Sequence, residues 1–251
     1  MARSGAARLD GFVRPEAVAR LAADASELVP LGFGNDDVHT VYSEDVDASL
    51  PTDDPRRMLV RSAQKAVAMD LLPENFGVRR LYAWDDLTNF VAAALGKDRL
   101  YRSEDPLDGC NVTVYEEGDE LGWHFDRSEF SITLMIQPAE QGGVFEYVPA
   151  VRSADDERHA VVGAILAGEQ KDVIELPSVA GTARLLPWSL LAAPGNTRQR
   201  HTPTAELGAH VRIRAWPSTQ PTHCKAVLRP RPRLLVVRGQ PGSNGAPRRR
   251  R

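Results

Sequence analysis

Between Gly109 and Pro149 the chain reads "GCNVTVYEEGDELGWHFDRSEFSITLMIQPAEQGGVFEYVP". In "CNVTVY", "FSITLMIQ" and "VFEYVP" apolar, β-branched and aromatic residues interleave with polar ones, and the turns "EEGDEL" and "AEQGG" separate them. A period of two belongs to half-buried strands and rules out an amphipathic helix over this stretch. "GWHF" is short and extended. After it all, "ADDERHAVVGAILAGEQ" reads as a helix set in front of a further strand, "DVIELP". Several short strands joined by Gly-rich turns must bury their common face by closing into a sandwich or barrel.

The sequence before Gly109 has a different texture. "RPEAVARLAADASELV" carries Pro15 at a first helical position, and Val18, Leu21, Ala22, Ala25 and Val29 form a helical stripe. "RRMLVRSAQKAVAMDLL" and "DDLTNFVAAALG" read the same way, the latter stopped by Gly96. "GNDDVHTVYSEDVDASLPTDDP" is acidic and turn-rich, a loop with a short strand. The expected organisation is a single domain over residues 1–221: a helical part, 1–100, packed on a β-rich core, 109–216. The fold class is mostly β with flanking helices.

Charge is unevenly spread. Residues 207–251 hold 11 Lys or Arg and no acid, while the rest carries 20 basic and 34 acidic side chains, a net of −14. The end, "RPRPRLLVVRGQPGSNGAPRRRR", has the Pro, Gly and Arg content of a disordered segment, and residues 222–251 are expected to be one. No aromatic residues interleave its arginines, which argues against nucleic acid as a partner. No apolar run approaches the roughly 18 residues of a membrane span, and "MARSGAARLDGFV" lacks the apolar core of a secretory signal. Cys110 and Cys224, the two cysteines, make neither a disulfide framework nor a four-ligand zinc site, so a cytoplasmic location is expected.

Within the strand-like stretch stands His124-x-Asp126. Side chains two apart on a strand share a face, so an imidazole and a carboxylate converge on one point. Joined by a second histidine they would form the facial triad of a non-haem Fe(II) oxygenase, with coordination positions left over for cosubstrate and oxygen. The alternative for an isolated His-x-Asp is a solvated strand end. Trp123, Phe125 and Phe130 could shield such a metal or be ordinary core aromatics. Arg127 and Glu129 could meet charges of a substrate or stay solvated.

The whole stretch 109–149 resembles the Fe(II)/2-oxoglutarate oxygenase superfamily, and within it the hydroxylases and halogenases of free amino acids. The resemblance rests on Tyr115 at its strand end, the acidic Gly turn, His124-x-Asp126, the strand ending in Gln137, and "GGVFEYVP". It implies a double-stranded β-helix, or jelly roll, flanked by helices, and Fe(II) with 2-oxoglutarate as cosubstrate. It further implies O2 as oxidant, an amino-acid-like substrate, and Asn111, Tyr115 and Arg212 as cosubstrate-binding residues. Halogenases of this subgroup carry a small residue in place of the carboxylate, which frees a position for chloride. With Asp126 present, the resemblance implies hydroxylation.

The distal half departs from the pattern. Family members show His-Arg-Val-Thr-Pro, then a Gly turn, then the arginine that pairs with the far carboxylate of 2-oxoglutarate; this chain has "LLPWSLLAAPGNTRQRHTPTAELGAHVRIRAW". Register set by Thr202-Pro203 puts Gln199 at the third ligand position. Register set by the spacing to Arg212 puts His201 there. Beyond Trp216, "PSTQPTHCKAVLRPRPRL" is too Pro-rich for a central strand, as though the last quarter had been read in a shifted frame. The second reading of the chain is therefore a non-catalytic jelly roll without its distal ligand. His39, His159, His210 and His223 remain: His159 reads as a surface helix residue, His210 as an alternative ligand, and the other two have no assigned partner.

Overall fold

The alternating stretches fold as strands and the striped ones mostly as helices. The computed structural model describes residues 5–103, 105–107, 109–139, 142–187, 189–196 and 208–216, with backbone alone for 194–196 and 208–216. The chain divides into two units, 1–218 and 219–251, and the second lies outside the described residues. In chain order the elements are β1 (Ala7–Leu9), α1 (Pro15–Leu28), β2 (Phe33–Thr40), β3 (Leu59–Val67), α2 (Gly77–Ala83), α3 (Asp85–Ala94) and β4 (Tyr101–Arg102). There follow β5 (Cys110–Tyr115), β6 (Glu120–Leu121), β7 (His124–Phe125), β8 (Phe130–Gln137), β9 (Val144–Val148) and α4 (His159–Leu166). The last are β10 (Ile174–Leu176), β11 (Ala183–Pro187), β12 (Leu191–Asn196) and β13 (Gly208–Trp216).

Two antiparallel sheets result. The larger runs β1-β11-β8-β13-β5-β3-β2, with β4 on β13 and β6 on β3, and the smaller runs β10-β9-β12-β7. At the centre, β5-β13-β8-β11 opposes β7-β12-β9-β10. Apart from β6, which joins β3, and the neighbours β9 and β10, successive strands from β5 onward alternate between the sheets, which is the double-stranded β-helix the resemblance implies.

Period two divides the large sheet into two faces. Cys110, Val112 and Val114 of β5 and Phe130, Ile132, Leu134 and Ile136 of β8 pack with Leu21, Ala25 and Leu28 of α1, Val78 of α2 and Val91 of α3. That is the outer, helix-covered face. The inner face carries Asn111, Thr113 and Tyr115 from β5 and Ser131 and Thr133 from β8. It meets the small sheet through Leu186 and Leu190 against Phe145, Tyr147 and Ala192. Helix α4 covers the outside of the small sheet, where Val162 and Ile165 pack on Phe125, Val148 and Leu191.

The N-terminal hundred residues are less helical than expected. "RRMLVRSAQKAVAMDLL" contains no α-helix; it forms β3 and a single 3-10 turn, Met69–Leu71. Pairing with β2 at residues 59–66 and with β5 at residues 65–67 overrides the helix propensity of its Ala, Gln, Lys and Arg residues. The acidic loop likewise gives up its first seven residues, 34–40, to β2. Helices α1 and α3 follow the sequence reading, with Pro15 in the first turn and Gly96 at a φ of 66° behind α3.

Candidate metal centre

Strand β7 is only two residues long, and its approach is fixed by Gly122. A Cβ at Gly122 would lie 2.6 Å from the carbonyl oxygen of Arg61 and 2.8 Å from Cβ of Val60. Only glycine lets the β6–β7 segment pass this close to β3. The Gly122 carbonyl then accepts a hydrogen bond from Nδ1 of His124 at 2.9 Å. A carbonyl cannot donate, so Nδ1 carries the proton and Nε2 presents its lone pair.

That lone pair faces Asp126. Nε2 of His124 and Oδ1 of Asp126 are 3.6 Å apart, and each side chain is 10% exposed. The separation is too long for a hydrogen bond, while bonds of about 2.0–2.2 Å from each ligand to a shared divalent ion span it. The Ser131 hydroxyl donates to the other carboxylate oxygen, Oδ2, and the Asp126 carbonyl accepts from Arg152 at 3.2 Å. The pair thus has the donor set, burial and orientation of two metal ligands, each held by a second group that fixes its direction.

A chain of hydrogen bonds reaches His124 from β2. His39 Nδ1 donates to the Thr40 carbonyl at 2.8 Å, leaving its Nε2 to accept from the Ser62 hydroxyl at 2.6 Å. Ser62 Oγ in turn accepts the Gly122 N–H at 3.0 Å. His39 and Ser62 therefore hold, through the Gly122 peptide, the carbonyl that orients His124. Sequence reading gave His39 no partner and took Ser62 for a helix residue. Only strand pairing of β2 and β3 brings them here, and the one local signal was the glycine of "GWHFD".

Among the described residues no third His, Cys, Asp or Glu completes a cluster. His201 and Gln199 lie outside the described residues, as does His223. Asn111 and Tyr115 stand on the inner face of β5; Asn111 accepts from the Thr113 hydroxyl at 3.1 Å and Tyr115 donates to Gln64 at 3.0 Å. The backbone register sets Arg212 opposite Asn111 on one side and Thr133 on the other, and His210 opposite Thr113 and Met135.

Other candidates have different work. Trp123 and Phe125 pack in the cluster under α4, and Phe130 packs under the N-terminal helices. Glu129 is paired with Lys97, and Arg127 donates to the Ser43 carbonyl. His159 is half-buried, not a free surface residue: its Nδ1 accepts from the Tyr42 hydroxyl at 2.9 Å, and burial pushes that phenol up to about 12.

Comparison with known proteins agrees with this fold. AviO1 from Streptomyces viridochromogenes Tue57 superposes with a TM-score of 0.58 at 18% identity, over 87% of this chain and 92% of its own. An oxidoreductase of the 2OG-Fe(II) oxygenase family from Burkholderia pseudomallei superposes with a TM-score of 0.53 at 14% identity, over 84% and 85% of the two chains. HygX from Streptomyces hygroscopicus, solved with nickel, 2-oxoglutarate and hygromycin B bound, gives a TM-score of 0.53 at 13% identity, over 86% and 84%. No curated protein matches the sequence. A family model described as Halogenase D matches residues 1–183, from the first strand through His124 and Asp126 to the start of β11. With the 2-oxoglutarate/Fe(II) oxygenase fold and a match over well more than half its length, the chain belongs to the Halogenase D family.

Proposed function

We propose that the protein is an Fe(II)/2-oxoglutarate-dependent dioxygenase that hydroxylates a small amino acid or a metabolite like one. The observation that carries this reading is the convergence of His124 Nε2 and Asp126 Oδ1, 3.6 Å apart and buried at the mouth of a jelly roll. Iron with 2-oxoglutarate and O2 supplies the oxidising power for an unactivated C–H bond, the cosubstrate leaving as succinate and carbon dioxide. His124 offers Nε2 because the Gly122 carbonyl holds the Nδ1 proton. Asp126 offers one oxygen because Ser131 holds the other. A carboxylate at this position occupies the place a halide would need, so within a family named for halogenation this chain is assigned hydroxylation. His201 is the proposed third ligand, and Arg212, Asn111 and Tyr115 are the proposed cosubstrate contacts.

The test is mass spectrometry of an amino-acid mixture incubated with protein, Fe(II), 2-oxoglutarate and oxygen. Succinate together with an amino acid bearing one added oxygen atom is expected, and chloride buffer should give no chlorinated product. Poor Fe(II) binding together with no succinate would replace this reading with the second one, a jelly roll that has lost its distal ligand. That reading draws on the family match ending at residue 183, ahead of β12 and β13.

A further inference from the structure

In His124-x-Asp126 the middle residue points away from its two neighbours. Period two sends the Phe125 side chain to the outer face of the small sheet, where it is buried under α4. Groups from two separate loops close on that ring. The guanidinium carbon of Arg152, in the loop between β9 and α4, lies 4.1 Å from the ring centre. The Tyr42 ring, in the loop after β2, stands 5.4 Å from it at a tilt of 35°. Arg152 also reaches the next residue, where its Nη2 donates to the Asp126 carbonyl at 3.2 Å. One side chain thus grips two consecutive residues of the segment.

Holding Arg152 there is costly. Its side chain is only 14% exposed, and the Glu157 carboxylate stands 3.8 Å away, beyond hydrogen-bond distance. A cation withdrawn from water needs close partners, and the ring face and the carbonyl supply two. The backbone around these contacts is strained as well. Among the described residues, the three non-glycine positions of positive φ are Ser43 at 54°, Ala150 at 51° and Arg158 at 47°. Ser43 follows Tyr42, and its carbonyl accepts from Arg127, the neighbour of Asp126. Ala150 leads to Arg152 through Val151, whose N–H donates to the Ser189 carbonyl at 3.0 Å. Arg158 precedes His159, which accepts from the Tyr42 hydroxyl at 2.9 Å. Left-handed backbone at residues with a Cβ persists where surrounding contacts hold it, and it gathers at functional sites. We propose that Phe125 and Arg152 are positioning residues of the metal centre: their clamp, braced by Tyr42, fixes the segment from behind, so that His124 Nε2 and Asp126 Oδ1 keep the spacing a shared ion needs. The inference rests on the functional reading above and adds to it residues on the far face of the small sheet.

Co(II) titration of the full-length protein, followed by calorimetry and by the visible d–d bands, tests it. Arg152→Met keeps the bulk of the side chain and removes the cation and the donor. It should weaken Co(II) binding by about tenfold or more and alter the d–d bands, which report coordination geometry. Arg152→Lys, able to cover the ring or reach the carbonyl but without the planar fork that does both, should fall between. Phe125→Leu should give a similar loss, and adding Arg152→Met to it should cost little more, because the two side chains act as one unit. Val162→Ala, in α4, takes methyl groups from the same buried cluster but neither the ring nor the cation. It should lower the melting temperature and leave Co(II) affinity and bands as in wild type. If Arg152→Met does not fold, Arg152→Lys and Phe125→Leu carry the comparison. Wild-type affinity and bands in the clamp variants, fully additive losses in the double variant, or the same loss in Val162→Ala would overturn the inference alone. No Co(II) site in wild type would overturn the functional reading and the clamp's role with it.

Discussion

At the scale of single residues, the site is a matter of who holds whom. His124 and Asp126 could be placed together from their spacing alone, because period two makes them share a face. What orients them could not be read from that spacing: Ser131 is five residues on, and Ser62 and His39 come from strands sixty and more residues earlier. Ser62→Ala removes the hydroxyl that anchors both His39 and the Gly122 N–H. It is expected to weaken Co(II) or Fe(II) binding by about tenfold, measured by calorimetry, with the His124 Nδ1–H signal in nitrogen-edited NMR lost or shifted. Unchanged affinity and an unchanged signal would remove Ser62 from the centre. A second residue-scale expectation concerns Cys110, fully buried beneath α2 and pushed from 9.0 up to about 12 by desolvation. The Tyr82 phenol beside it is also driven upward, by burial first and then by Cys110. Raised values mean that the native state keeps these protons longer than the unfolded chain. Their contribution to stability is full below pH 9.0 and falls as pH climbs toward 12. Urea midpoints should therefore drop above about pH 9, less steeply in Cys110→Ala, and native Cys110 should resist alkylation at neutral pH.

At the scale of elements, what was legible depended on whether a segment's own pattern decided its structure. Strands β5, β8 and β9 alternate clearly because each buries one face under helices and turns the other inward. β3 does not: "LVRSAQKAV" is built of good helix formers, and only its place between β2 and β5 makes it a strand. Helices α1 and α3 were legible from their stripes. The contact between β3 and the β6–β7 segment was not, although it sets the strand that carries His124. Gly122→Ala forces a Cβ to within 2.6 Å of the Arg61 carbonyl. An overpacking cost of about 1–3 kcal/mol is expected in urea unfolding, together with weakened metal binding, since the shifted peptide no longer presents its carbonyl to His124. A variant as stable as wild type with wild-type affinity would contradict the close approach. β12 is the weakest part of the sequence reading: it pairs Ala192 with His124, and the ligand expected from this half of the chain lies beyond it.

At the scale of the whole molecule, the chain joins a family-like body to an unlike end. Residues 1–183 match the Halogenase D model, and the sequence loses the pattern soon after. Removing residues 222–251 is expected to leave the melting temperature of the remainder nearly unchanged, because "LLVV" is the main apolar content of that segment; a fall of several degrees would show that it packs on the body. The larger question is whether the jelly roll holds iron through the two residues its geometry brings together. Anaerobic Fe(II) titration of wild type, His124→Ala and Asp126→Ala by calorimetry answers it most directly. A single site in wild type is expected, weakened at least tenfold in each variant. Equal Fe(II) affinity in all three proteins would contradict it.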